Sequence, residues 1–186
     1  DEMRALKAFA LADVGVSDLK AWDVAFYSER QRQAEFELSE EALREYFPAG
    51  QVIEGMFDIV SKVFGVDVKP CPAMATWHPD VLTYQVEQEG ETVAFFYLDL
   101  YARAKKRGGA WMAECRNRRL TPDDHLQRPV AFLTCNFTPA VGDKPALLSH
   151  DEVVTLFHEF GHGLHHMLTK VTCAGVSVIN GVEWDA

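Results

Sequence analysis

The sequence predicts an α+β fold, mainly α with a small antiparallel β-sheet, and three patterns point to it. Apolar residues recur every three to four positions over residues 1–69 and again after residue 146; two-residue alternation is confined to the stretch between; glycine and proline punctuate the boundaries. The 186 residues are enough for one sizeable core, and 48% hydrophobic with 25% charged residues excludes a disordered chain. The chain reads as one continuous piece of a single domain: a helical part over 1–69, a strand-containing part over 70–145, and a last helix with its following loop over 146–186.

Each element has a local cause. Glu2 to Ala12 carries Leu6, Phe9 and Ala10 on one side and is closed by Gly15, and Ser17 is placed to cap a second helix running through Trp22 to about Phe36. Ser39 opens a short third helix ended by Pro48. Gln51 to Phe64 presents Ile53, Met56, Phe57, Val60 and Phe64 on one face, with Gly65 at the usual helix-ending position. Beyond Pro70, Pro72 and Pro79 the period changes. Leu82, Tyr84 and Val86 alternate with polar residues, Gly90 marks a turn, and Val93 to Tyr101 returns as the second strand of a hairpin. Val130 to Phe137 reads as a third strand, and the basic clusters Arg103 to Arg107 and Arg116 to Arg119 read as solvated loops or helix faces.

The last helix carries the most specific pattern in the chain. Ser149-His150-Asp151-Glu152 has the form of a capping box, so a helix should start there. Along it Val153, Phe157, Phe160, Leu164 and Met167 form one apolar stripe, and His158, His162, His165 and His166 fall on the other side. His158-Glu159-Phe160-Gly161-His162 is the H-E-x-x-H pattern of zinc peptidases. Residues four apart on a helix lie one above the other, so two neutral imidazoles can each place a nitrogen about 2.0 to 2.1 Å from one Zn2+ ion. Glu159 lies on the flank of that pair, near the metal without binding it, where it can act as the general base toward a water that the metal acidifies. Gly161 and Gly163 are poor helix formers, and their small size would let another segment approach closely.

The remaining histidines are read more plainly. His78, His125 and His150 are expected to be solvated, and His165 and His166 to face a second layer of the site or the substrate, because a single catalytic zinc needs only three protein ligands. Val130 to Phe137 leads through a short loop into the histidine helix, so it is expected beside the His158 face with one backbone edge free for an extended peptide. Its apolar run would equally suit an interior strand.

Charge and cysteine usage narrow the class. Eighteen basic and 28 acidic residues give a net charge of −10, which argues against nucleic acid or an anionic membrane as the main partner. Cys71, Cys115, Cys135 and Cys173 are scattered without a metal-knuckle spacing, no apolar run reaches membrane length, and no basic-then-apolar leader opens the chain. A cytoplasmic protein with reduced thiols is the expectation.

Several blocks together resemble one family. HEFGHGLHH at His158 to His166, WDVAFYSE at Trp22 to Glu29, FYLDLY at Phe96 to Tyr101, RGGAWM at Arg107 to Met112 and SHDEV at Ser149 to Val153 are similar to the thimet oligopeptidase family of zinc metallopeptidases, in family order over nearly the whole chain. The resemblance implies a cytoplasmic zinc metalloendopeptidase that hydrolyses short peptides and excludes folded proteins, within a largely helical zincin-like fold. It implies that His158 and His162 are the metal ligands and Glu159 the catalytic base. It further implies a partial catalytic domain whose third ligand is a glutamate about two residues beyond Ala186, so that this piece alone would be inactive. Taken alone, Glu183 is a candidate third ligand by its distance from His162, with Asp185 a weaker candidate for orienting an imidazole, and the resemblance argues against Glu183. The competing class is a non-catalytic helical domain with weak or incidental metal binding.

Overall fold

The computed structural model describes residues 2–36, 39–142 and 144–177. Helices α1 (Glu2–Val14) and α2 (Val24–Phe36) pack on each other around Leu6, Ala10 and Tyr27. Gly15 ends α1 with φ at 75°, a value that costs a residue without Cβ nothing. Ser17 does not cap α2. The helix begins only at Val24, because Asp23 folds its carboxylate back onto the Lys20 amide at 3.0 Å while its own carbonyl accepts from Tyr27 N. Helix α3 (Glu40–Arg44) is capped by Ser39 Oγ, which accepts from Ala42 N at 3.1 Å. Helix α4 (Ala49–Phe64) ends on Gly65 at φ 64°, whose N–H bonds Ser61 O.

The sheet contains β1 (Asp67–Pro70), β2 (Leu82–Gln88), β3 (Glu91–Tyr101), β4 (Trp111–Arg116) and β7 (Val130–Phe137), in the order β1-β2-β3-β7-β4; β5 (Arg119–Leu120) and β6 (Leu126–Gln127) form a separate ribbon. The hairpin of β2 and β3 matches its sequence pattern. Glu89 and Gly90, both at positive φ, make its two-residue turn. Two expectations are corrected. The sheet is mixed and not purely antiparallel, because β7 runs parallel to β3. And β7 has no free edge: β3 pairs with one side and β4 with the other. The chain leaves β3, forms β4 and the ribbon, then returns between the two strands, and residue alternation carries no record of such a crossover. The near-continuous apolar run of β7 is that of a strand covered on both faces. Among the described residues the edge strands are β1 and β4, both of which the sequence pattern left without an assignment.

One face of the sheet carries the main core. Phe96, Leu98, Ala131, Leu133 and Cys135 point to that face and meet Ile53, Met56 and Val60 of α4 and Leu156, Phe160 and Met167 of α5 (His150–Leu168). Phe57 of α4, Phe96 of β3 and Phe160 of α5 form a three-ring cluster with centroids 5.5 to 6.1 Å apart. Gly163 sets the helix height over the sheet: a Cβ there would stand 3.0 Å from Leu133 Cδ2, whereas one at Gly161 would meet nothing within 4 Å. The expected close approach therefore occurs at Gly163 alone. The start of α5 is stapled to the start of α4. Leu148 N donates to Phe47 O and Ala49 N to Ala146 O, each at 2.9 Å, and Arg44 Nη1 donates to Leu147 O at 3.2 Å.

The opposite face holds a charge cluster where solvated basic residues were expected. Asp99, 3% exposed, accepts two bonds from Arg103 at 2.6 and 2.7 Å, one from Lys106 at 2.8 Å and one from Trp77 Nε1 at 3.2 Å. Lys106 also donates to Asp99 O and Tyr101 O, so all three of its protons are used. Burial pushes the Asp99 carboxyl up, but the hydrogen bonds from Arg103, Lys106 and Trp77 outweigh it and hold the group at about 2. Basic residues next to a buried acid in the fold cannot be told from solvated ones by composition.

Two outcomes follow. Gly163→Val should destabilise by roughly 1 to 3 kcal/mol through overpacking, and the penalty should shrink in the double variant with Leu133→Ala; strict additivity in denaturant titrations would contradict the close approach. For Asp99, the folded-state value lies below the unfolded value of about 3.9, so its contribution of roughly 2 kcal/mol is present above that pH and is lost as pH falls toward 2. The stability gap between wild type and Asp99→Asn should therefore be widest above about pH 4 and close in acid; a gap unchanged down to pH 2 would contradict the linkage.

Candidate metal centre

Helix α5 carries the site, and its start is fixed by the expected capping box. Ser149 Oγ accepts from Glu152 N at 3.1 Å, while Glu152 Oε2 accepts from Ser149 N at 2.8 Å. From that start the helix turns Leu156, Phe160, Gly163, Leu164 and Met167 to the core. Phe157, placed by spacing in the same stripe, is instead 37% exposed. Leu156 and Gly163 take its place because the helix leans toward β7, which moves the centre of the buried stripe by about one residue.

The two histidines of the motif converge. His158 Nε2 and His162 Nε2 are 3.0 Å apart, with rings at 86° and centroids 4.5 Å apart, on the solvent side of the helix. Two nitrogens bound tetrahedrally to one zinc at about 2.05 Å would be separated by about 3.3 Å. The pair therefore fits a shared cation with a movement of a few tenths of an ångström. Glu159, by contrast, is 8% exposed and turns from the histidine stripe toward the flank nearer β4 and β7. Its charge reaches Cys135 on β7: burial first, then the Glu159 carboxylate, push that thiol up to about 12. Cys135 is thus held as a thiol and is no nucleophile.

The other histidines divide. His125, His150 and His165 are exposed and His78 is half-buried. His166 was expected to face outward, yet it is 0% exposed and its Nε2 lies 2.9 Å from Arg116 O and 3.2 Å from Val130 O. It sits roughly 80° from the centre of the buried stripe by helical turn, a flank that is solvent on an isolated helix and covered here by the end of β4. The four-residue row His158, His162, His166 was the signal available in the sequence. Nothing in it showed that the third member passes beneath a strand.

Among the described residues, no third His, Cys, Asp or Glu joins His158 and His162 in a group that could hold a metal ion. Glu183 and Asp185 lie outside the described residues. Among the described residues β4 has β7 as its one neighbour in the sheet, with Met112 paired to Leu133, the side chain over which Gly163 sits. A strand edge without a partner among the described residues can bind an extended chain, and two converging imidazoles can bind a cation. No described helix is long and apolar enough to cross a membrane.

Comparison with known proteins places the chain in a family. The chain is 52% identical over 186 residues to oligopeptidase A of Escherichia coli (strain K12), covering all of this chain and 27% of that protein. It is 47% identical to oligopeptidase A of Haemophilus influenzae, with the same coverage, and 35% identical over 182 residues to dipeptidyl carboxypeptidase of Escherichia coli, covering 97% of this chain and 26% of that protein. The chain thus spans about a quarter of the length of these relatives. The model of peptidase family M3 matches residues 1–186 throughout, and the chain belongs to that family.

Proposed function

We propose that this chain is the metal-binding part of the catalytic domain of a zinc-dependent endopeptidase that hydrolyses short peptides. The observation that carries the reading is the convergence of His158 and His162 Nε2 at 3.0 Å on α5, with Glu159 next to His158 along the helix. Membership of a peptidase family and likeness to proteins named oligopeptidase A support it. In this reading His158 and His162 are metal ligands and Glu159 is the catalytic base. The third donor is a glutamate C-terminal to Ala186 in preference to Glu183, so residues 1–186 hold the ion loosely and have little activity alone. The proposal keeps a cytoplasmic location, and the strongly acidic balance fits a partner that is neither nucleic acid nor an anionic membrane.

The chain's own residues divide the work. When bound, zinc supplies a Lewis acid that acidifies water and polarises the scissile carbonyl. Glu159 takes the proton of the attacking water and returns it to the leaving amine, a transfer that needs a carboxylate close to the ion but not on it. Partial burial keeps bulk water from competing for that proton. The N–H and C=O groups on the open side of β4 bind the peptide backbone, which makes recognition tolerant of side chains.

Three measurements test this in the complete polypeptide that carries the segment. Glu159→Gln should retain zinc while peptide hydrolysis falls at least about 10²-fold; near-normal turnover would remove Glu159 from its role. Replacing His158 or His162 by Gln should lower zinc occupancy together with activity, and full occupancy in either variant would exclude that residue as a ligand. Residues 1–186 alone should lose zinc to a chelator before the complete polypeptide does; stoichiometric zinc in the short form that disappears on Glu183→Ala would place the third ligand at Glu183 instead.

A further inference from the structure

We propose that His166 is a positioning residue that ties the edge strand β4 to the metal-binding helix, so that a peptide laid along β4 is held in register with His158 and His162. The inference rests on the proposed peptidase reading for its consequence, but its geometry stands independently. His166 follows His162 by one helical turn and is 0% exposed, between the buried apolar residues Leu164 and Met167. Its Nε2 lies 2.9 Å from Arg116 O and 3.2 Å from Val130 O. Both atoms are acceptors, so Nε2 carries the proton and shares it between them. Nδ1 is buried with no partner among the described residues. An aliphatic side chain on this flank would fill the space without leaving a buried nitrogen unpaired, so what the imidazole adds is the tether.

The place of the tether is informative. Arg116 and Val130 face each other across β4 and β7, immediately past a bulge between Glu114 and Arg116 that interrupts the ladder. An edge strand with a bulge at its end has few bonds of its own there, and the missing donor comes from α5. At the other end of β4, Asn136 of β7 donates to Arg107 O and Gly109 O, each at 2.7 Å. The strand is thus held at both ends by side chains from other elements. The bond from His166 links its far end to the helix that carries His158 and His162. Because reaction rates fall steeply with small errors in placing the reacting carbonyl, loosening this bond should act on turnover more than on binding.

The test compares His166→Gln, His166→Leu and His166→Asn in the complete polypeptide. Glutamine can place an amide N–H near the position of imidazole Nε2; leucine cannot donate; the asparagine amide is too short to reach the carbonyls. His166→Leu and His166→Asn should retain zinc but lose at least about tenfold in kcat with a smaller change in KM, and His166→Gln should stay within about threefold of wild type. Hydrogen exchange of the Trp111 to Arg116 amides should rise at least about fivefold in the Leu and Asn variants and not in the Gln variant. If the Leu variant fails to fold, the Asn variant carries the same expectations. Unchanged kinetics and exchange without the donor, or losses in Gln equal to those in Leu, would overturn the proposal, as would a loss of activity that merely tracks loss of zinc. Should Glu159→Gln leave hydrolysis intact, the peptidase reading fails, while the exchange comparison still decides whether His166 tethers β4.

Discussion

The close contact between α5 and β7 at Gly163 and Leu133 is the constraint on which the site depends. A Cβ at residue 163 would stand 3.0 Å from Leu133 Cδ2, so the Leu133 side chain or the helix would have to give by a few tenths of an ångström. With the helix seated, Phe160 enters the ring cluster with Phe57 and Phe96, Glu159 is drawn into partial burial, and the imidazoles at 158 and 162 are left on the open side. A dense interior deforms little, so a catalytic constellation on one face of a helix inherits the precision of the packing on the other.

Polar interactions then fix what packing leaves free. The capping box sets where α5 begins, and therefore the rotation at which the histidines emerge. The bonds between residues 47–49 and 146–148 set α4 and α5 side by side from their first turns. On the far face of the sheet, Asp99 gathers Arg103 and Lys106 and so organises the loop that leads from β3 toward β4. In this cluster Asp99 and Lys106 are paired and hydrogen-bonded, which is the condition for tolerating buried ions. Their effect is one of placement: the edge strand arrives against α5 because the chain leading to it is held.

Much of the local structure was legible. Gly15, Ser39, Gly65, Gly90 and the Ser149–Glu152 box each acted where their chemistry predicts, because capping and turn formation involve only neighbouring residues. Ser17 does not act as a cap because α2 starts only at Val24, seven residues on, after a turn in which Asp23 accepts from the Lys20 amide. The pairing of β7 was misjudged for a different reason. Strand alternation reports which faces are covered, not which neighbours lie on either edge, and β7 reaches its place between β3 and β4 by a crossover.

By itself the sequence determined the local pattern: the H-E-x-x-H spacing, its helix and the apolar stripe beneath it follow from covalent order and the 3.6-residue turn. Tertiary structure decided which of those residues meet solvent and which meet the sheet. His165 and His166 are adjacent in the chain and identical in type, yet one is exposed and the other is buried against two backbone carbonyls. The difference lies in how far β4 extends past the flank of α5. That reach is a property of the assembled sheet, set by long-range pairing, and no window of sequence around the histidines contains it.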